Sequence, residues 1–105
     1  MTLEFFNGNT IDVSRVIKGG MLDYLHIYTN SITPVEIYAL FDDNSEETKM
    51  MTVHEKTEDA EDKEITHIYR GYTELYSVQK PFLTSPEGTW MIWMQRPMEV
   101  VEDVS

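Results

Sequence analysis

A chain of 105 residues buries roughly 65% of the surface that its unfolded form exposes, which allows one modest core and excludes a second domain. A hydrophobic content of 41% with 11% aromatic residues excludes a disordered chain despite a net charge of −11, and the lack of cysteine excludes a disulfide scaffold or thiolate zinc site. Nineteen acidic residues against eight scattered basic ones argue against direct nucleic-acid binding, and no apolar run reaches the roughly 18 residues of a membrane span.

Leu3 to Phe6 and Thr10 to Lys18 read as the arms of a hairpin joined by Asn7-Gly8, a dipeptide suited to the positive φ angles of a primed two-residue turn. Gly19-Gly20 breaks the second arm. Met21 to Tyr28 forms a third strand, with Leu22, Tyr24, His26 and Tyr28 alternating with Met21, Asp23, Leu25 and Ile27. Thr33-Pro34-Val35-Glu36 is a helix start: Thr33 is placed to cap, Pro34 suits the first helical position, and Glu36 closes a capping box. Ile37, Leu40 and Phe41 supply the apolar stripe, and Asp42-Asp43-Asn44-Ser45 ends the helix after about two turns.

Lys49 to Glu55 is the next expected strand, followed by an acidic connection from Lys56 to Glu64. Ile65 to Tyr69 and Thr73 to Lys80 read as two further strands, with Gly71 expected to mark a bulge that bends them as one continuous ribbon. Pro81 to Gly88 turns the chain into a final strand, Thr89 to Arg96. There, alternation sets Trp90, Ile92 and Met94 on one face and Met91 and Trp93 on the other. Both faces are apolar, so the strand is expected to be covered on both sides, by the domain's own layers or by another subunit. Pro97 stops pairing, which divides the chain into a β-rich domain over 1–97 and an acidic tail over 98–105.

No residue set demands a particular chemistry. Asp42, Asn44 and Glu46 have the spacing of the first ligands in a calcium loop, but Glu47 stands where that loop needs glycine and Val53 where it needs a bidentate glutamate. His26, His54 and His67 fall on three separate strands without a short ligand spacing. There is no cysteine, no Gly-x-Ser-x-Gly turn, and no glycine and lysine after Gly19-Gly20 to hold a phosphate. No catalytic residue, metal site or cofactor is therefore expected.

Two features remain. Tyr69, Tyr72, Tyr76, Trp90 and Trp93 concentrate aromatic area, and with few basic residues nearby they suit a core or a protein interface better than base stacking. Ten of the nineteen acids lie between Asp42 and Glu64, a stretch that either keeps the protein solvated or meets a basic surface, Glu58, Asp59, Glu61 and Asp62 being the densest part.

Leu40-Phe41-Asp42-Asp43 ending a helix, Thr48 beyond it, and Tyr69-Arg70-Gly71-Tyr72-Thr73-Glu74-Leu75 before a last apolar strand resemble a group of short β-rich proteins. These are encoded in prophages of Gram-positive bacteria, often in the tail and baseplate gene region. The resemblance spans Glu36 to Arg96 and implies a small phage accessory or structural protein, with no functional residue carried across.

The expected architecture is α+β: a mostly antiparallel twisted sheet of six to seven strands, bent or two-layered, with one short α-helix. The expected function is non-enzymatic: a phage-type structural or interaction protein, in the cytoplasm of a bacterial host or on the virion, binding a protein partner or itself as a homo-oligomer. Trp90, Trp93, Tyr72 and Tyr76 are its candidate contact residues. The alternative is an acidic inhibitor that imitates nucleic acid through Glu58, Asp59, Glu61 and Asp62 and blocks a host defence nuclease.

Overall fold

The computed structural model describes residues 1–19, 23–56, 64–81 and 88–97. Eight strands form there: β1 (Thr2–Glu4), β2 (Thr10–Asp12), β3 (Arg15–Lys18), β4 (Tyr24–Thr29), β5 (Met50–Lys56), β6 (Glu64–Arg70), β7 (Glu74–Gln79) and β8 (Trp90–Gln95). Two helices, α1 (Pro34–Phe41) and α2 (Ser45–Thr48), lie between β4 and β5. The strands divide into two antiparallel four-stranded sheets, ordered β2-β1-β5-β6 and β3-β4-β8-β7, in place of one sheet of six or seven. The α+β class stands. Among the described residues no helix is long and apolar enough to cross a membrane.

The two sheets arise because the chain changes layer three times, after β2, through the helices between β4 and β5, and after β6. Thr10 to Lys18 is two strands rather than one: Val13 donates its N–H to the Met1 carbonyl beside the first sheet at 3.0 Å, while Ser14 donates to the Tyr28 carbonyl in the second at 2.8 Å. Adjacent amides thus serve different sheets. Val13 sits buried at the crossing, and the Asp12 carbonyl accepts from the hydroxyls of Thr29 and Ser31 at 2.7 and 2.9 Å.

The last change occurs at Gly71, where a bulge was expected. Gly71 adopts φ +85° and donates to the Lys49 carbonyl at 2.9 Å, after which the chain passes from β6 into β7 of the other sheet. The bulge is displaced to β7, where Tyr76 is the extra residue between the Leu75↔Met94 and Ser77↔Trp93 pairs.

The first hairpin also differs from the expected form. Gly8 N–H donates to the Phe5 carbonyl, Phe5 N–H to the Asn9 carbonyl, and Asn7 Oδ1 accepts from the Asn9 amide. Only Gly8, at φ +91°, is left-handed there, so the loop is a type I turn closed by a glycine bulge and not a primed turn.

α1 follows its local chemistry. The Thr33 hydroxyl accepts from the Glu36 amide, the Glu36 carboxylate accepts from the Thr33 amide, and Pro34 occupies the first turn, where no N–H is needed. Asp42 ends the helix and Asp43 takes φ +52°. α2 was not foreseen, because four residues with one buried side chain, Thr48, carry no helical periodicity. Thr33→Ala is expected to lower stability by about 1 kcal/mol, read as an unchanged m-value with a lower urea midpoint. A midpoint equal to that of the unmodified chain would mean that the cap is not formed in solution.

One core joins the layers. Leu3, Phe5, Met51 and Val53 come from the first sheet and its turn, Leu25, Ile27, Ile92 and Met94 from the second, and Ile37 and Phe41 from α1. The inward residues of β4 and β8 alternate with outward ones, and this places the site below.

Candidate functional site: an aromatic layer on the outer face of the second sheet

Register converts alternation into a surface. With Leu25, Ile27, Ile92 and Met94 pointing to the core, strand geometry turns Tyr24, His26, Tyr28, Met91 and Trp93 to the opposite face. Pairing sets Ile17, His26, Trp93 and Ser77 side by side across all four strands. Arg15, Tyr28, Met91 and Gln79 form the row beside it. The bulge brings Tyr76 to the same face as Ser77, with its ring 5.0 Å from Tyr24.

Trp93 is the centre of this layer. His26, from the strand on one flank of β8, stacks on it at 4.3 Å and 20°. Tyr76, from the strand on the other flank, stacks at 6.1 Å and 27°, and Tyr24 lies at 5.6 Å. Rings from both flanking strands therefore crowd around the indole. Clustered rings with their hydroxyls suit packing against a protein surface. The indole Nε1 is enclosed and has no hydrogen-bond partner among the described residues. Charge is sparse: of the described residues on this face only Arg15 and Glu74 are ionic, although the chain carries a net charge of −11.

The four aromatic residues singled out from sequence separate here. Trp93 and Tyr76 meet on the outer face, and Tyr76 is 54% exposed. Trp90 points inward, packs against the core and has the Lys80 ammonium 5.4 Å from its ring centroid, so it cannot share a surface with Trp93. Tyr72 is 1% exposed, its hydroxyl donating to Asp23 Oδ1 at 2.6 Å, and is withdrawn from any contact role. Glu58, Asp59, Glu61 and Asp62 lie outside the described residues. Sequence reasoning missed Tyr24, His26, Ile17 and Met91 as members of one face. Their alternation was visible, but the pairing of β4 with β8 that assembles them was not.

The inner side of β8 is covered as expected. Its outer side is covered only by its own neighbours' rings, among the described residues.

Two polar clusters brace the frame. Asp23 receives the Tyr72 hydroxyl and, at 3.0 Å, Arg96 Nη1, while Arg96 Nε donates to the Arg70 carbonyl and its guanidinium lies 4.7 Å from the Tyr72 ring centroid. The Tyr72 hydrogen bond, with Arg96 nearby, holds the Asp23 carboxyl below its ordinary value, and burial with that same bond pushes the Tyr72 phenol up to about 12. In the first sheet, His54 Nε2 meets Glu4 and Nδ1 meets Glu64, each at 2.8 Å, tying β1, β5 and β6 together. With both nitrogens engaged, this imidazole has no free lone pair for a base. No group of three or more His, Asp or Glu side chains is gathered for a metal among the described residues.

The two histidines respond to pH in opposite directions. The Glu4 hydrogen bond, aided by Glu64, raises His54 above 6.5. Its stabilisation is complete below that value and is lost as pH rises through the folded-state value. Burial lowers His26, so its contribution is present above 6.5 and lost as pH falls through its folded-state value. Urea midpoints from about pH 5.5 to about pH 8 test this. The stability difference between the unmodified chain and His54→Gln is expected to shrink as pH rises, and a difference that widens would contradict the clamp.

Comparison with family models, with curated proteins and with solved structures gives no match.

Proposed function

We propose that this chain is a non-enzymatic structural or interaction protein of phage type that packs through the outer face of its second sheet. The observation that carries the reading is the ring layer of Tyr24, His26, Tyr76 and Trp93, which lies on the side of the sheet away from the core. Large rings ordered by one another contribute contact area at little further entropy cost, which is why Trp and Tyr concentrate at protein interfaces. The phage context rests on the resemblance over Glu36 to Arg96.

The charge map favours a second copy as the occupant. Chains of net charge −11 repel, and the face where Arg15 and Glu74 are the only ions among the described residues is where two of them meet at least cost. Light scattering after size exclusion, at high micromolar concentration, is expected to show concentration-dependent association that Trp93→Ala weakens. A strictly monomeric protein under those conditions would refute the reading.

A further inference from the structure

Among the described residues the two sheets have four edges, and three of them are blunted. β2 has three residues, β3 carries Arg15 and Lys18 at its ends, and β7 is interrupted by the bulge at Tyr76. Short length, basic side chains and bulges are the usual means of preventing one edge from pairing with another. β6 is neither short nor bulged, and Arg70 at its end is its one lysine or arginine. Its seven residues, Glu-Ile-Thr-His-Ile-Tyr-Arg, contain no proline, lysine or irregularity. They pair with β5 without interruption from Met50↔Arg70 to Lys56↔Glu64, and no strand takes the other edge among the described residues. Ile65 and Ile68 are 42% and 51% exposed.

The strand is also complementary to itself. Antiparallel pairing about His67 places Glu64 opposite the second copy's Arg70, Ile65 opposite its Tyr69 and Thr66 opposite its Ile68, each pair occurring twice by symmetry. Opposite charges and aromatic with β-branched pairs are favourable when directly opposed. Sliding the strand by two residues either way sets Glu64 opposite Ile68 or leaves it beyond the paired segment, and both lose the ion pairs. Glu64 uses Oε1 for His54, which leaves Oε2 for a guanidinium.

We infer that two copies of this chain join edge to edge through β6, with the two-fold axis at His67 and Glu64 of each facing Arg70 of the other. The first sheets of the two copies then form one continuous sheet of eight strands. This contact is separate from the aromatic face and does not depend on it.

The test uses the full chain carrying Trp93→Ala, so that the aromatic face does not contribute, and reads mass by sedimentation and native mass spectrometry. A dimer is expected. E64R and R70E each set like charges opposite one another and are expected to weaken the dimer tenfold or more. Mixed in equal amounts, the two variants regain both ion pairs, so a one-to-one heterodimer is expected. Its recovery also shows that each variant is folded. Amides of Ile65 to Tyr69 on the free edge are expected to lose exchange protection on dilution. A monomeric Trp93→Ala protein, single variants that dimerise normally, or a mixture that does not recover would each overturn the inference. A normal β6 dimer whose association is no weaker than that of the unmodified chain would instead count against the aromatic face.

Discussion

Phe41→Ala is expected to lower the unfolding free energy by about 3–5 kcal/mol, the largest stability loss of any change considered. Phe41 is fully buried at the end of α1, where its ring meets Phe5 at 5.3 Å and 62° in an edge-to-face contact. Phe5 belongs to the turn after β1, so this one pair fastens the helix to the first sheet. Truncation removes both the transfer free energy of the ring and its contacts, and the cavity left between helix and sheet collapses only in part. For a domain whose total stability is about 5–15 kcal/mol, that is about a fifth or more of the whole. Tyr38→Ala, on the exposed side of the same helix, is the control and should change stability by no more than about 0.5 kcal/mol. Urea titration measures both, and a loss below about 1 kcal/mol for Phe41→Ala would show that α1 does not dock as described.

Trp93→Ala and Trp90→Ala are expected to give opposite phenotypes although only Met91 and Ile92 separate them. At the centre of the ring layer, Trp93 has the position and residue type of an interface hot spot, where truncation costs about 2 kcal/mol or more. Association through the aromatic face should therefore weaken about 30-fold or more. Trp90 packs on the core, so its loss should lower the urea midpoint and leave association through that face unchanged. Sedimentation over a concentration series, paired with urea titration, separates the two effects. If both substitutions lower stability and neither changes association, the ring layer is simply an outer extension of the core and the packing role fails.

How far the sequence could be read depended on how local the determining chemistry was. The start of α1 was legible because Thr33, Pro34 and Glu36 act on one another within a single turn. The opposite orientation of Trp90 and Trp93 was legible for the same reason, since alternation is a property of neighbouring residues. Which of the two points inward depends on β4, which pairs Tyr24 with Gln95 across most of the chain, and nothing near Trp93 encodes that. Thr10 to Lys18 read as one strand because its composition is continuous, whereas the change of sheet is made by hydrogen bonds to the carbonyls of Met1 and Tyr28 and from the hydroxyl of Thr29. Gly71 did mark a special backbone angle, but a left-handed glycine serves a crossing as well as a bulge, and only the partners of Glu74 distinguish the two. The acidic connection over 57–63, most of the turn from Pro81 to Gly88, and the tail over 98–105 lie outside the described residues.

The place of β8 bears on how the molecule is made. Among the described strands, β7 pairs with β8 alone, and β8 also supplies the second partner of β4. Until Trp90 to Gln95 have left the ribosome, the second sheet has no middle. The rings of Tyr24 and Tyr76 and the inward side chains of β4 then remain open to whatever else a crowded cell contains. Pairings between such distant segments close large loops before any contact rewards them, so folding is expected to wait for β8 and to be slow, on the scale of milliseconds to seconds. A nascent chain halted before Trp90 is thus a natural client for a chaperone, and one extended past Gln95 has all it needs to release it.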